Sequence, residues 1–183
     1  NLRDSSFEKK KYFHVAQWVD ESLFKEIAGY SKDKMLEVYE KALADSVEKH
    51  LISDAPLASL FSAGLDSSLV TVIAARHRPV DLYYYESELL DHLNYPKYFA
   101  ERYKLNLKIS KGNDRDFIFS LPKMIYHYET INKEDGVVLA ALCGLARRDG
   151  IKVLLTGDAS DELFGGQPFH VDFMIQRALA QRC

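Results

Sequence analysis

Three carboxylate side chains lie within five residues of one another, directly after an apolar run. The run is Val153–Leu155, within a strand predicted over residues 152–156, and the carboxylates are Asp158, Asp161 and Glu162. Burying unpaired carboxylates is costly, so such a group needs a bound cation, a proton to transfer or open water. The alternative is the solvated first turn of a helix, where the helix dipole favours acidic residues. These residue types alone leave both interpretations open.

A second stretch, rich in serine, also follows an apolar run. Residues 62–68 read Ser-Ala-Gly-Leu-Asp-Ser-Ser, and a helix is predicted directly afterwards. Backbone N–H groups at the positive end of a helix, with serine hydroxyls beside them, form a phosphate site. Asp66 would repel phosphate, and a Mg²⁺ ion between the two explains its presence best. The alternative is a plain tight turn in which Asp66 and Ser67 cap the helix.

Strands alternate with helices along most of the chain, and the two stretches follow two of the strands. The sequence pattern predicts strands over residues 57–61, 81–85, 106–109 and 152–156. It predicts helices over residues 32–50, 69–76, 95–103, 116–128 and 137–149. This alternation predicts an α/β fold, a doubly wound parallel sheet with flanking helices. Ligands of such sheets bind at the carboxyl ends of the strands. Residues 1–30 are expected to be an extended arm or linker that ends at Gly29.

The composition is that of a soluble globular protein. The chain has 183 residues, 47% of them hydrophobic, and a net charge of −3. That balance provides no global attraction to nucleic acid or acidic membranes. The longest apolar run, residues 137–142, is far shorter than the roughly 18–20 residues of a membrane span. Cys143 and Cys183 form neither a disulfide framework nor a metal spacing. A cytoplasmic location without nucleic-acid or membrane partners is therefore expected.

The two stretches together resemble the asparagine synthetase family of the PP-loop, or N-type ATP pyrophosphatase, superfamily. Residues 62–68 resemble its pyrophosphate loop, Ser-Gly-Gly-x-Asp-Ser, and residues 156–167 resemble its Ser-Gly-Glu-Gly-Ser/Ala-Asp-Glu-Leu-Phe-Gly-Gly-Tyr motif. They occur in the family's order and at about its spacing, and the resemblance covers about residues 31–180. It implies a PP-loop ATP pyrophosphatase fold, like that of the adenine nucleotide alpha hydrolases, with ATP and Mg²⁺ as cofactors.

The resemblance also implies roles for individual residues. Asp66 and Asp161 match the Mg²⁺ ligands. Asp158 matches the catalytic position, where asparagine synthetases carry Glu and β-lactam synthetases carry Tyr, and its carboxylate favours deprotonation of ammonia or an amine. The positions matched to ATP and its pyrophosphate, some of them through the backbone around adenine, are Phe61, Ser62, Ala63, Gly64, Leu65, Asp66, Ser67, Ser68, Tyr84, Tyr85, Thr156 and Gly157.

Three departures from the family pattern concern the loops and the substrate pocket. Ala63 replaces the first of two glycines, which would cost about 1 kcal/mol if its φ is positive and little otherwise. Gln167 replaces the usual Tyr. Residues 124–132 resemble the family's helix before the aspartate pocket, but the Arg-Ala-Ser-type stretch that follows this helix in the family is absent. Residues 133–138 stand in its place and look shorter than the family's segment. Because arginine is the natural partner of an α-carboxylate, its loss weakens free aspartate as the acceptor.

The function implied is that of an AMP- and pyrophosphate-forming carbon–nitrogen ligase. It would adenylate the carboxylate of a small molecule or peptide and transfer ammonia or an amine, which a glutaminase domain supplies in some members. Two alternatives stay open: an intramolecular amide former of the β-lactam synthetase or macrolactam cyclase type, and a nucleotide-binding module with impaired catalysis. Residues 1–30 would be the link to a missing glutaminase-type domain, and residues 31–183 a synthetase domain truncated at its C-terminus. The oligomer expected, if one forms, is a homodimer.

Overall fold

The computed structural model of the chain describes residues 7, 9–14, 20–87, 94–129 and 135–180. The chain divides into two compact units, Asn1–Ala44 and Asp45–Cys183. Helix α1 (Glu21–Ala28) lies in the first unit, and helix α2 (Lys32–His50) begins there. Asp20 caps α1, because its carboxylate accepts hydrogen bonds from the backbone N–H groups of Ser22 and Leu23. The prediction of an extended arm is therefore wrong over α1, and its parts at residues 1–6, 8 and 15–19 lie outside the described residues.

The sheet consists of four parallel strands. They are β1 (Leu57–Leu60), β2 (Asp81–Ser87), β3 (Leu107–Gly112) and β4 (Val153–Leu155), in the order β3-β2-β1-β4. Ser59 of β1 pairs in register with Leu82 of β2 and with Leu155 of β4, so β1 is an inner strand. All four predicted strands are confirmed, with ends that shift by a few residues.

Helices surround this sheet in the second unit. They are α3 (Leu65–His77), α4 (Asn94–Tyr103), α5 (Asp114–Tyr128), α6 (Asp135–Arg148), α7 (Ser160–Phe164) and α8 (Pro168–Ala180). Helix α3 begins at Leu65, four residues before the predicted start, because the first turn is small and polar and carries no hydrophobic period. Helix α7 lies within the motif of residues 156–167, where the hydrophobic pattern predicted no helix. None of the helices in the described ranges combines the length and apolar character needed to cross a membrane.

Alternating side chains of the strands bury two separate apolar clusters. Leu82 and Tyr84 pack with Phe61 and, from α4, with Phe99 and Ala100. The neighbouring side chain Tyr83 packs instead with Ala58 and, from α6, with Leu142 and Ala146. Because successive strand residues point to opposite faces, α4 and α6 cover opposite sides of the sheet. The doubly wound α/β fold is thus confirmed.

One partly buried hydrogen bond connects the sheet to Asp149, the residue after α6. The Tyr83 side chain is fully buried, and its hydroxyl donates to Oδ2 of Asp149 over 2.8 Å. Lys108 Nζ lies 3.9 Å from the same carboxylate oxygen. Burial raises the pKa of Tyr83, and the hydrogen bond to Asp149 adds to that effect.

Candidate functional site

The first loop turns sharply from β1 into α3. The N–H of Phe61 still bonds to the Tyr83 carbonyl over 2.9 Å, and the chain then reverses through Ala63, whose φ is +65°. Gly64 is the N-cap of α3 and, lacking a side chain, makes no side-chain cap hydrogen bond. Ala63, whose conformation the sequence leaves open, is therefore left-handed, which costs an alanine about 1 kcal/mol or more. Asp66 and Ser67 lie in the first helical turn and do not cap it.

Serine hydroxyls line this loop and bond to one another. Ser62 Oγ lies 2.9 Å from Ser67 Oγ and accepts from the N–H of Gly64 over 3.3 Å. Ser68 Oγ donates to the Gly64 carbonyl over 2.7 Å. The first N–H groups of a helix have no intrahelical partner. With no side-chain cap on α3, these amides and the Ser62 and Ser67 hydroxyls form a donor set of the kind that binds phosphate.

The second loop follows β4 and leads into α7. Thr156 Oγ1 accepts from the N–H of Asp158 over 3.4 Å, and the Asp158 side chain is exposed. Ala159 has a φ of +72°, so this loop also has an alanine in the left-handed region. Gly165 at the end of α7 has a φ of +76°, and its N–H bonds to the Asp161 carbonyl over 2.8 Å.

The two loops touch at Gly157. An ideal Cβ on Gly157 would lie 2.9 Å from the backbone nitrogen of Ser67 and 3.0 Å from Cβ of Asp66. Only a residue without a side chain permits this approach. The strands that precede the loops, β1 and β4, are hydrogen-bonded neighbours in the sheet. The structure therefore brings Gly157 together with Asp66 and Ser67, three of the residues that the sequence predicted for one site.

Asp161 is held from the C-terminal side of α7. The side-chain amide of Gln167 donates to Oδ2 of Asp161. Gly166 leaves the space that this carboxylate occupies, because a Cβ at position 166 would overlap it. The backbone N–H of Gly166 bonds to the Asp161 carbonyl over 3.1 Å. Gly166 and Gln167 thus form a seat for the Asp161 carboxylate, a role that the motif comparison did not reveal.

The carboxylates of the two loops suit Mg²⁺ in type and number. Within the described residues there is no group of three or more acidic, histidine or cysteine side chains arranged to hold a metal. Mg²⁺ is usually bound through one or two carboxylates together with substrate phosphates. Asp66 is half-buried in the first turn of α3, and the Asp161 carboxylate sits in its glycine-lined seat. Hard oxygen donors beside a phosphate-type loop fit the ion.

The residues expected around adenine differ in what they can present. The side chains of Phe61 and Tyr84 are buried in the cluster beside α4, 1% and 6% exposed. Only their backbone groups are therefore available to a nucleotide. Tyr85 is half-buried, and its ring lies where a side chain on Gly112 would be.

A cavity of about 210 Å³ opens beside Tyr85. It lies between the carboxyl ends of β2 and β3 and the helices α5 and α6. Met124 and Val137 line its apolar part, and Lys123 and Ser120 add polar groups. Because it lies at the carboxyl edge of the sheet, the same edge as the two loops, the cavity is a candidate space for a second substrate.

A family model and several known proteins match most of this chain. A family model described as asparagine synthase matches residues 38–182. Putative glutamine-hydrolyzing asparagine synthetase 1 of Methanocaldococcus jannaschii is 28% identical over 167 residues, covering 84% of this chain and 31% of the relative. Glutamine-hydrolyzing asparagine synthetase of Asparagus officinalis is 28% identical over 185 residues, covering 91% of this chain and 30% of the relative. The chain thus spans about a third of the length of these relatives.

A solved structure shows a weaker likeness. The NH3-dependent NAD synthetase from Campylobacter jejuni superimposes with a TM-score of 0.46 and 17% sequence identity. The superposition covers 70% of this chain and 59% of that one. A likeness of this size carries no functional information.

Proposed function

Because the chain belongs to the asparagine synthase family, we propose that it binds ATP with Mg²⁺ across the two loops and uses it to activate a carboxylate for amide formation. The observation that carries the proposal is the approach of Gly157 to Ser67 and Asp66. It supports a single site in which one loop presents phosphate-binding donors and the other presents acidic groups.

The pyrophosphate part of ATP would lie on the first turn of α3. The uncapped N–H groups of α3 lie at the positive end of the helix dipole. The hydroxyls of Ser62 and Ser67, which bond to each other, can rotate and donate to phosphate oxygens instead. The ribose and adenine would lie against backbone groups of four residues: Phe61, Tyr84, Thr156 and Gly157. Half-buried Tyr85 would border this part of the site.

Asp66 and Asp161 would hold the metal ion from opposite loops. When bound, Mg²⁺ supplies neutralisation of the negative charge that develops on the departing pyrophosphate. The seat formed by Gly166 and Gln167 supports this assignment, because it fixes the direction of the Asp161 carboxylate before any ligand arrives.

The reaction we propose has two steps. An oxygen of the substrate carboxylate bonds to the α-phosphorus while the bond from that phosphorus to the bridging oxygen breaks and pyrophosphate leaves. A nitrogen nucleophile then attacks the acyl carbon of the adenylate, the carbon–oxygen bond to AMP breaks, and the nitrogen loses a proton. Exposed Asp158, on the loop beside Thr156, is the proposed acceptor of that proton. Placement of the reactants by the two loops would supply much of the acceleration.

The acceptor carboxylate is proposed to enter the cavity beside Tyr85. Lys123 would offer an ammonium group there in place of the absent arginine. The relatives are named as glutamine-hydrolyzing enzymes, and by likeness ammonia or an amine is the proposed nitrogen source. We further propose that residues 1–30 link the synthetase domain, residues 31–183, to a domain that provides it.

Pyrophosphate release from ATP with a panel of carboxylates, using the complete gene product, tests this function. We expect release that depends on one class of carboxylate, and an amide product that requires a nitrogen nucleophile. The Asp158→Asn variant should bind ATP but form the amide slowly, and Lys123→Met should raise the KM for the carboxylate.

Two results of this assay would contradict the proposal. ATP binding without pyrophosphate release for any carboxylate would indicate a nucleotide-binding module. Amide formation within one substrate, without added amine, would indicate an intramolecular amide former. If the Asp158→Asn variant releases pyrophosphate and forms the amide as efficiently as the wild type, Asp158 is not the proton acceptor.

A further inference from the structure

The buried polar side chains of the described residues all lie in one place. They are Ser59, Ser67, Ser68 and Thr71, from 0% to 9% exposed. Ser59 belongs to β1, and the other three belong to the first two turns of α3, where Ser67 and Ser68 are part of the first loop. Elsewhere in the part of the chain that the structure describes, buried side chains are apolar apart from tyrosine.

Two of these hydroxyls form a directed chain of hydrogen bonds. Thr71 Oγ1 lies 2.7 Å from the carbonyl oxygen of Ser67, and a carbonyl can only accept, so Thr71 donates. Ser59 Oγ lies 2.7 Å from Thr71 Oγ1 and must therefore donate to it. The chain runs from the middle of the sheet, through the helix, to the first turn that carries the phosphate-type donors.

Stability alone gives little reason for this arrangement. A buried hydroxyl loses its water and regains about as much from a single internal bond, so an apolar pair of the same shape is nearly neutral or stabilising. The bond from Thr71 back to residue 67 is common in helices. The bond from Ser59 is different, because it fixes that helical turn to an inner strand that pairs on both sides.

We infer that Ser59 and Thr71 are positioning residues for nucleotide binding. They hold the Ser67 carbonyl, and with it a residue whose backbone nitrogen lies against Gly157 and whose hydroxyl bonds Ser62, in the position needed for pyrophosphate binding. This inference rests on the proposed function, because it names how this chain prepares the same site. Neither residue touches the nucleotide.

Two variants of Thr71 separate positioning from packing. Thr71→Val keeps the shape and removes the donor, whereas Thr71→Ser keeps the donor and removes a methyl group. Each is compared with the wild type for the Kd of α,β-methylene-ATP with Mg²⁺, for amide hydrogen exchange over residues 65–68, and for the midpoint of urea unfolding. The double variant Ser59→Ala with Thr71→Val removes both hydroxyls without leaving one unpaired.

We expect nucleotide affinity and amide protection to be kept in variants that retain the hydroxyl of residue 71 and lost in variants that lack it. Thr71→Val and the double variant should weaken binding about tenfold or more and speed exchange over residues 65–68, as a misplaced binding group does. Thr71→Ser should bind nearly as the wild type does, even where its unfolding midpoint is lower. The double variant should unfold at or above the wild-type midpoint.

Wild-type-like affinity and exchange in the double variant would overturn the inference, as would equal losses in Thr71→Ser and Thr71→Val. Failure of the wild type to bind the nucleotide would instead refute the proposed function. In that case hydrogen exchange over residues 65–68 still tests whether Thr71 anchors the first turn of α3. Unchanged exchange in Thr71→Val would refute the anchoring, and faster exchange would support it.

Discussion

Gly157 is a position where one methyl group would separate the two loops. A Cβ at this position would lie 2.9 Å from the backbone nitrogen of Ser67 and 3.0 Å from the Cβ of Asp66. We expect Gly157→Ala to weaken binding of Mg²⁺ and α,β-methylene-ATP at least about tenfold, because both loops must move apart. Isothermal titration calorimetry measures the change.

Gly144→Ala is the matched control for that substitution. Gly144 lies within α6, and a methyl group at this position would have as its nearest neighbour a flexible Arg148 nitrogen at 3.9 Å. Alanine there should leave nucleotide affinity unchanged and stabilise the helix by about 0.5–1 kcal/mol. Equal binding by Gly157→Ala and the wild type would show that the close contact of the loops is not needed.

Ala63 and Ala159 both have left-handed backbones, but substitution by glycine should change the free energy of unfolding differently at the two positions. Ala159 is exposed, so Ala159→Gly relieves backbone strain of about 1–2 kcal/mol against a cost of about 0.5–1 kcal/mol in the unfolded chain. A net gain of about 0.5 kcal/mol is expected from urea unfolding. Ala63 packs on the cluster beside α4, so Ala63→Gly also loses methyl burial and should gain less. A larger gain at Ala63 than at Ala159 would contradict this account.

Gln167 should control how well Asp161 binds a metal ion. Its amide donates to the carboxylate, and loss of such an outer partner typically weakens metal binding about 10–100-fold. We expect Gln167→Leu to raise the Kd of Mn²⁺, measured by electron paramagnetic resonance with α,β-methylene-ATP present. The control is Gln176→Leu, at an exposed position of α8. Equal Kd values in both variants would remove Gln167 from this role.

The sequence identified most residues of the two loops but not how their backbones turn. Residue types and order predicted the phosphate-type donors and the acidic loop. The positive φ of Ala63 could not be read, because alanine gives no signal for that conformation as glycine does. The role of Gly166 was also missed, since it depends on where the Asp161 carboxylate lies in space.

At the scale of elements, hydrophobic pattern decided what could be predicted. The strands and the long helices carry apolar residues at clear spacing, and their types are confirmed. The first turn of α3 was missed because Asp66, Ser67 and Ser68 give no apolar period. Helix α1 was missed although Asp20 followed by Glu21 is a start signal and Leu23, Phe24 and Ile27 fall at helical spacing, because its eight residues are fewer than the window over which that spacing is read.

The bond between Tyr83 and Asp149 links β2 to the end of α6 and predicts a loss of stability at high pH. Burial raises the pKa of Tyr83 in the folded protein. In the unfolded chain tyrosine loses its proton near pH 10, so above that pH the unfolded state is favoured progressively. The free energy of unfolding should therefore be maintained below about pH 10 and should fall as the pH rises further.

Tyr83→Phe tests this element contact. The variant should lose about 1 kcal/mol near neutral pH, where the hydrogen bond is present, and should show a shallower alkaline decline. Tyr98→Phe, at a 60% exposed position of α4, is the control. Urea unfolding at several pH values gives both quantities. An alkaline decline as steep in Tyr83→Phe as in the wild type would contradict the assignment.

For the molecule as a whole, strand alternation predicted the architecture and the edge of the sheet at which the candidate site lies. Parallel strands place their carboxyl ends together, so loops distant in sequence meet when their strands are neighbours. The sequence could not give the strand order, which makes β1 and β4 adjacent. That order brings the serine-rich loop against the acidic loop, and it is the physical basis for assigning one nucleotide site to both.

The central claim is that one metal ion joins the two loops over the pyrophosphate of ATP. A crystal structure with Mn²⁺ and α,β-methylene-ATP, with the anomalous signal of the metal recorded, tests it most directly. We predict one anomalous peak that both the Asp66 and the Asp161 carboxylates contact, directly or through its waters, with the phosphates on the first turn of α3. A nucleotide bound elsewhere, or a metal ion that engages only one of the two carboxylates, would contradict the account.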